Sequence, residues 1–137
     1  KMIYFISGHR DLSYEDFKKY YIPKIREVLE NDPWAEFIVG DCKGADKYAM
    51  DYIYNKTGRK LTIYHMFESP RNIPEGYEPP IGIEEILDCS VSTISGFKSD
   101  EERDSAMTRD SDFDIAFVKD DRWDSGTAQN IKRRHNI

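Results

Sequence analysis

The feature that most constrains this chain is a recurring order: a short apolar run, a polar turn with glycine, then a stretch of helical spacing. Met2–Ser7 (MIYFIS) is nearly all apolar and stops at Gly8. A run without alternation reads as a strand covered on both faces of a parallel sheet. Ser13 then stands where a helix cap belongs, with Glu15 and Asp16 in the first turn. Phe17, Tyr20, Tyr21, Ile25, Val28 and Leu29 keep helical spacing to about Asn31, with Pro23 predicting a kink or two shorter helices. Glu36–Val39 (EFIV) is a second strand ending at Gly40. Ala45, Tyr48, Ala49, Tyr52 and Ile53 line one face of a second helix that Gly58 closes.

Leu61–His65 is a third strand, and four of the six prolines follow within 66–80, which reads as a loop. A short helix is expected over Ile83–Leu87. The stretch 90–97 fits strand or loop equally. Asp100–Ser111 reads as helix, Phe113–Val118 (FDIAFV) as a further strand, and Gly126 to about Arg134 as the last helix. Strands alternating with helices at this spacing imply right-handed crossovers and an open, mostly parallel sheet of four or five strands, with helices on both faces. The 137 residues suit a single domain over 1–137. Ligands of such sheets lie outside the carboxyl ends of the strands, so the polar residues just after each strand become the site candidates.

Three turns satisfy that condition. The first is Ser7-Gly8-His9-Arg10-Asp11, where Gly8 lets the backbone approach a ligand and Arg10 can fork onto a phosphate, unless it is spent on Asp11. The second, Gly40-Asp41-Cys42-Lys43-Gly44-Ala45-Asp46, brackets a tight loop with two glycines and runs into a helix N-terminus, which favours an anion. It matches neither the dinucleotide glycine pattern nor the P-loop. Asp46 is a capping carboxylate or a partner for a ribose hydroxyl. The third turn, Asp124-Ser125-Gly126-Thr127-Ala128, places small hydroxyl residues around a glycine at a helix start, a phosphate nest or a plain cap. On the preceding helix, Arg103 and Arg109 are six apart and cannot share a face, so one at most reaches the site; Arg103, nearer the loops, is the expected one. His65 is read as structural. Cys42 lacks a readable base partner and is not expected to be a nucleophile.

Composition excludes other classes. Net charge is −6 with pI near 5.1, a poor balance for phosphate-backbone binding, so no nucleic acid is expected. Cys42 and Cys89 form no C-x-x-C pair, and His9, His65 and His135 are scattered, so no metal or cofactor is expected. The apolar opening run is too short for a signal-peptide core, and no stretch approaches a membrane span. A cytoplasmic location follows as the expectation, and a homodimer stays open.

Taken in order, these turns resemble the SLOG superfamily of Rossmann-like nucleotide binders. That group includes the YspA/YpsA-like proteins, the LOG phosphoribohydrolases and the DNA-processing protein A domain, and is related in fold to nucleoside 2-deoxyribosyltransferases. The YspA-like pattern is similar to Ser7–Asp11, Gly40–Asp46, Arg103-Asp104-Ser105-Ala106-Met107 and Gly126-Thr127-Ala128 here. The resemblance spans nearly the whole chain. It implies an α/β, Rossmann-like three-layer sandwich. It also implies binding or sensing of a nucleotide or ADP-ribose-like ligand by Ser7, Gly8, His9, Arg10, Gly40, Asp41, Gly44, Ala45, Asp46, Arg103, Ser125, Gly126 and Thr127. One departure bears on chemistry. The deoxyribosyltransferases carry a nucleophilic Glu six residues after an Asp, and the LOG enzymes a catalytic Glu in the same region; six residues after Asp124 stands Asn130. An amide is neither nucleophile nor base. N-glycosidase or transferase activity, the alternative reading, would need Asp46 or Asp104 as a substitute carboxylate. A protein-interaction module is the second alternative.

Overall fold

The computed structural model describes residues 1–80 and 90–135. The helix expected over Ile83–Leu87, and Cys89, lie outside the described residues. Among the described residues, five strands form one all-parallel sheet: β1 (Ile3–Ser7), β2 (Glu36–Val39), β3 (Leu61–Tyr64), β4 (Val91–Ile94) and β5 (Phe113–Ala116), in the order β4-β3-β2-β1-β5. The ambiguous stretch 90–97 thus supplies an edge strand, with Gly96 at φ +98 turning the chain away after it. The fold is the Rossmann-like α/β open sheet.

The α-helices of the described residues flank the sheet: α1 (Tyr14–Tyr20), α2 (Ile22–Asn31), α3 (Ala45–Tyr52), α4 (Asp100–Arg109) and α5 (Gly126–His135). Ser13 Oγ accepts from Asp16 N and starts α1. The chain breaks between α1 and α2 because Pro23, at the start of α2, has no N–H for the preceding turn. A π-helical turn, Ile53–Thr57, extends α3 and stops at Gly58, which takes φ +64 and donates its N–H to Ile53 O.

Alternation along each strand divides the core into two layers. Ile6, Phe37, Val39, Leu61 and Ile63 face α1, α2 and α3 and pack with Phe17, Tyr21, Ile25, Met50 and Ile53. Phe5, Ile38 and Tyr64 face the other way, onto Ala106 and Met107 of α4. The central side chains of β1, β2 and β3 are therefore covered on both faces of the sheet, which is why these runs show little polar alternation.

The order has one reversal. From β1 the chain steps through β2, β3 and β4 to one side, then returns to add β5 on the other side of β1. Ile6 is level with Val39 on one flank and Ile115 on the other, so β1, β2 and β5 end side by side. A crevice opens at such a switch point because successive crossovers leave on opposite faces. No helix among the described residues is long and apolar enough to cross a membrane.

Candidate functional site

The crevice is a cleft of about 520 Å³ at the carboxyl ends of β1, β2 and β5. Gly8, Gly40 and Gly126 all line it, joined by Ser7, His9, Arg10, Asp46, Arg103, Ser125 and Thr127 from the expected set. Asp41, Gly44 and Ala45 do not line it. They build it from behind.

The β1 turn is held rigidly. Tyr21, fully buried, donates its hydroxyl to Ser7 O at 2.8 Å and accepts from Phe117 N at 3.1 Å, tying the ends of β1 and β5 together. A side chain at Gly8 would collide with the Tyr21 hydroxyl and Ala45 Cβ, so only glycine lets α3 approach this closely. Ser7 is 6% exposed, and its buried Oγ has no hydrogen-bond partner although the residue faces the cleft. Such a group is costly unless something else supplies the partner. His9 Nε2 accepts from Lys119 N at 3.1 Å, so its proton sits on Nδ1. Burial, then Arg122 nearby, lowers its pKa and keeps the ring neutral. His9 thereby also positions the segment between β5 and α5.

Arg10 is exposed at the cleft. The carboxylate it could have paired with, Asp11, is taken by Arg122 through two 2.7 Å bonds, which hold Asp11 below the usual carboxylate range. Arg10 makes no hydrogen bond or ion pair among the described residues. Lys43, also exposed, lines the same cleft.

In the β2 turn the two carboxylates have different work. Asp41 is fully buried and accepts from Arg71 N and Nη2, both at 2.8 Å, and from Arg103 Nη1 at 3.2 Å. Burial pushes its pKa up, but the Arg71 hydrogen bonds outweigh it, and the net shift is downward. Asp41 O accepts from Asn72 Nδ2. Asp41 is therefore a clamp between the 66–80 loop and α4, not a group open to a ligand. Gly44, at φ +75, leaves no room for a side chain against the Arg10 and His9 carbonyls, and Ala45 N donates to His9 O. That first N–H of α3 is satisfied internally, by the β1 turn.

Asp46 is buried and lines the cleft. Its Oδ2 accepts from Cys42 N at 3.0 Å, so the carboxylate reaches back to cap its own loop. Burial pushes its pKa up to about 7, against the opposing pull of Cys42 N and Arg103. Gly40 exists for this carboxyl: a Cβ there would stand 2.7 Å from Asp46 Oδ2. Asp104, beside Arg103 at 3.4 Å, is also raised by burial and also faces the cleft. Arg103 is buried between Asp41 and Asp104, whereas Arg109 pairs with Asp110 at the surface. The Cys42 thiol is raised by burial and by Asp46, the opposite of activation.

On the third turn, Ser125 Oγ caps α5 by accepting from Ala128 N at 3.2 Å. The Gly126 and Thr127 N–H groups have no acceptor among the described residues. Asn130 lies in the cleft wall one turn on, its Oδ1 accepting from Arg133 at 2.7 Å. His65 is buried and does not line the cleft.

Sequence reasoning missed Arg71, Asn72, Tyr21 and Arg122 as builders or walls of the site. Arg71 sits in a proline-rich loop that reads as connection only, and nothing local in the sequence pairs it with a carboxylate thirty positions away. Among the described residues no group of three or more His, Cys, Asp or Glu could hold a metal ion. No protein-family model, curated protein or solved structure matches this chain.

Proposed function

We propose that the cleft binds a small phosphorylated ligand of the nucleotide or ADP-ribose kind. The observation that carries this reading is Arg10: an exposed guanidinium without a carboxylate partner, in the same cleft wall as the unsatisfied Ser7 hydroxyl and the open N–H groups of Gly126 and Thr127. A phosphate suits both the open arginine and the open helix start. It accepts from backbone N–H groups at a helix start, from a hydroxyl, and bidentately from arginine. Lys43 adds a second exposed cation to the cleft lining. Titration calorimetry with AMP, ADP-ribose and unphosphorylated adenosine tests it. Saturable heat with the two phosphorylated compounds and none with adenosine is expected; absence of binding by every phosphorylated compound would sink the reading.

A hydrolytic reading has one observation in its favour: Asp46 and Asp104 both face the cleft with pKa values raised by burial, the condition for a general acid near neutral pH. Asn130 argues against a glycosyl-enzyme intermediate at that position. Chromatographic assay for free base from nucleoside monophosphates separates binding from turnover, and loss of any base release on Asp46→Asn or Asp104→Asn would name the acid.

A further inference from the structure

We infer that what the cleft reads on such a ligand is a phosphorylated sugar and that the base is not recognised. This rests on the phosphate-binding reading above. A protein that selects a nucleobase normally offers it a ring face, and base–aromatic stacking contributes about 1–3 kcal/mol per base. The described cleft wall contains two rings, Phe5 and His9, and they are 1% and 5% exposed. Phe5 is packed under Ala106 and Met107, and His9 is tied to Lys119 N. Neither presents a face. The open rings of the molecule, Trp34, Phe67 and Trp123 among them, are not in that wall.

What the wall does present is spare hydrogen-bonding capacity of mixed sign. Asp46 uses Oδ2 on Cys42 N and keeps Oδ1 without a partner among the described residues. Asp104 uses Oδ1 on Arg103 and keeps Oδ2. Asn130 spends its oxygen on Arg133 and keeps its amide nitrogen. The hydroxyl groups of a sugar, which donate and accept, can pair with carboxyl oxygens and an amide donor alike. The volume of about 520 Å³ would admit a whole nucleotide, so size does not exclude the base. Among the described residues the wall gives a base no exposed aromatic face to stack on.

The test is a ligand series on the full chain by calorimetry at fixed pH and salt: ribose 5-phosphate, AMP, CMP, adenosine and inorganic phosphate. Ribose 5-phosphate, AMP and CMP are expected to bind within about tenfold of one another, a span worth about 1.4 kcal/mol. Inorganic phosphate should be weaker than ribose 5-phosphate by more than that factor. Asp104→Ala, which removes both oxygens, should weaken ribose 5-phosphate about tenfold, the loss of roughly one hydrogen bond, and should not weaken inorganic phosphate, because a nearby negative charge is removed with them. Trp123→Ala should change none of these values. AMP binding more than tenfold tighter than ribose 5-phosphate, or inorganic phosphate binding as well as the sugar phosphate, overturns the inference while leaving the phosphate site standing. No binding by any phosphorylated compound takes down both.

Discussion

At the scale of single residues, two of the charged side chains in the cleft each make a separate prediction. Arg10 is open and unpaired, so Arg10→Ala should leave the fold intact and weaken a phosphorylated ligand by about 1.5–3 kcal/mol, as for a hydrogen bond to a charged group. Calorimetry at constant salt checks this, with the thermal midpoint of the free protein as the control. Asp46 makes a prediction in pH. Its pKa rises from an ordinary 3.8 to about 7 on folding, so the folded state holds the proton over a window where the unfolded chain has released it. The stability it supports is fully present below about pH 4 and is lost as pH rises through 7. The size is on the order of a few kcal/mol, since one pKa unit corresponds to about 1.4 kcal/mol. Asp46→Asn keeps an acceptor for Cys42 N but cannot ionise. Its urea midpoints should therefore fall less between pH 5 and 8 than those of the parent, and parallel profiles would show that Asp46 does not titrate in that range.

At the scale of elements, the glycines separate into those that hold helices and those that leave room. Gly8 lies where β1 and α3 meet, with the Tyr21 hydroxyl and Ala45 in the path of any side chain. Gly8→Ala should cost about 1–3 kcal/mol, the range for forcing atoms into a packed interior. Gly126 begins α5 with nothing within 4 Å of where a Cβ would stand and no positive φ. Gly126→Ala should be neutral or slightly stabilising in chemical denaturation, because alanine is the better helix former. If the two variants were equally destabilised, the close approach at Gly8 would not be the reason for glycine there. The helix starts were legible for the same local reason: Ser13 and Ser125 each cap through a hydroxyl that reaches a backbone N–H three positions on. The edge strand β4 was not legible, because Ser92 and Thr93 interrupt the apolar run and an edge strand needs no burial on both faces.

At the scale of the whole molecule, Asp41 is the joint between three parts. It receives Arg71 from the 66–80 loop, Arg103 from α4, and stands at the end of β2. The loop is further held by Lys47 to Ile73 O and by Asn55 to Glu75 O. Removing a buried carboxylate from two arginines leaves Arg103 charged in the interior without its Asp41 partner, so Asp41→Ala should cost about 3–5 kcal/mol. Arg71→Ala should cost less, because Asp41 keeps Arg103. Denaturation midpoints of the two variants decide between this joint and a dispensable surface pair: equal, small losses would mean that the clamp does not support the fold.

The alternation of apolar runs with glycine turns and helical spacing determined the parallel sheet and the end of it at which the glycine turns gather around a cleft. These are consequences of contacts within a few positions along the chain: strand burial, caps, glycine at a turn. The same turns also identified Ser7, Gly8, Arg10, Gly40, Asp46, Arg103 and Gly126 as residues that could meet, since every one follows a strand or opens a helix beside one. Which of their neighbours face the cleft was decided by the tertiary structure alone. Asp41 and Asp46 look alike in sequence, yet Arg71 and Arg103 arrive from 30 and 62 positions away to pair with the first, while the second, also buried, takes only Cys42 N and lines the cleft. Asp11 is likewise drawn off by Arg122, 111 positions on, and that leaves Arg10 without a partner. A charge's partner is chosen by packing across the fold, and local patterning carries no record of it.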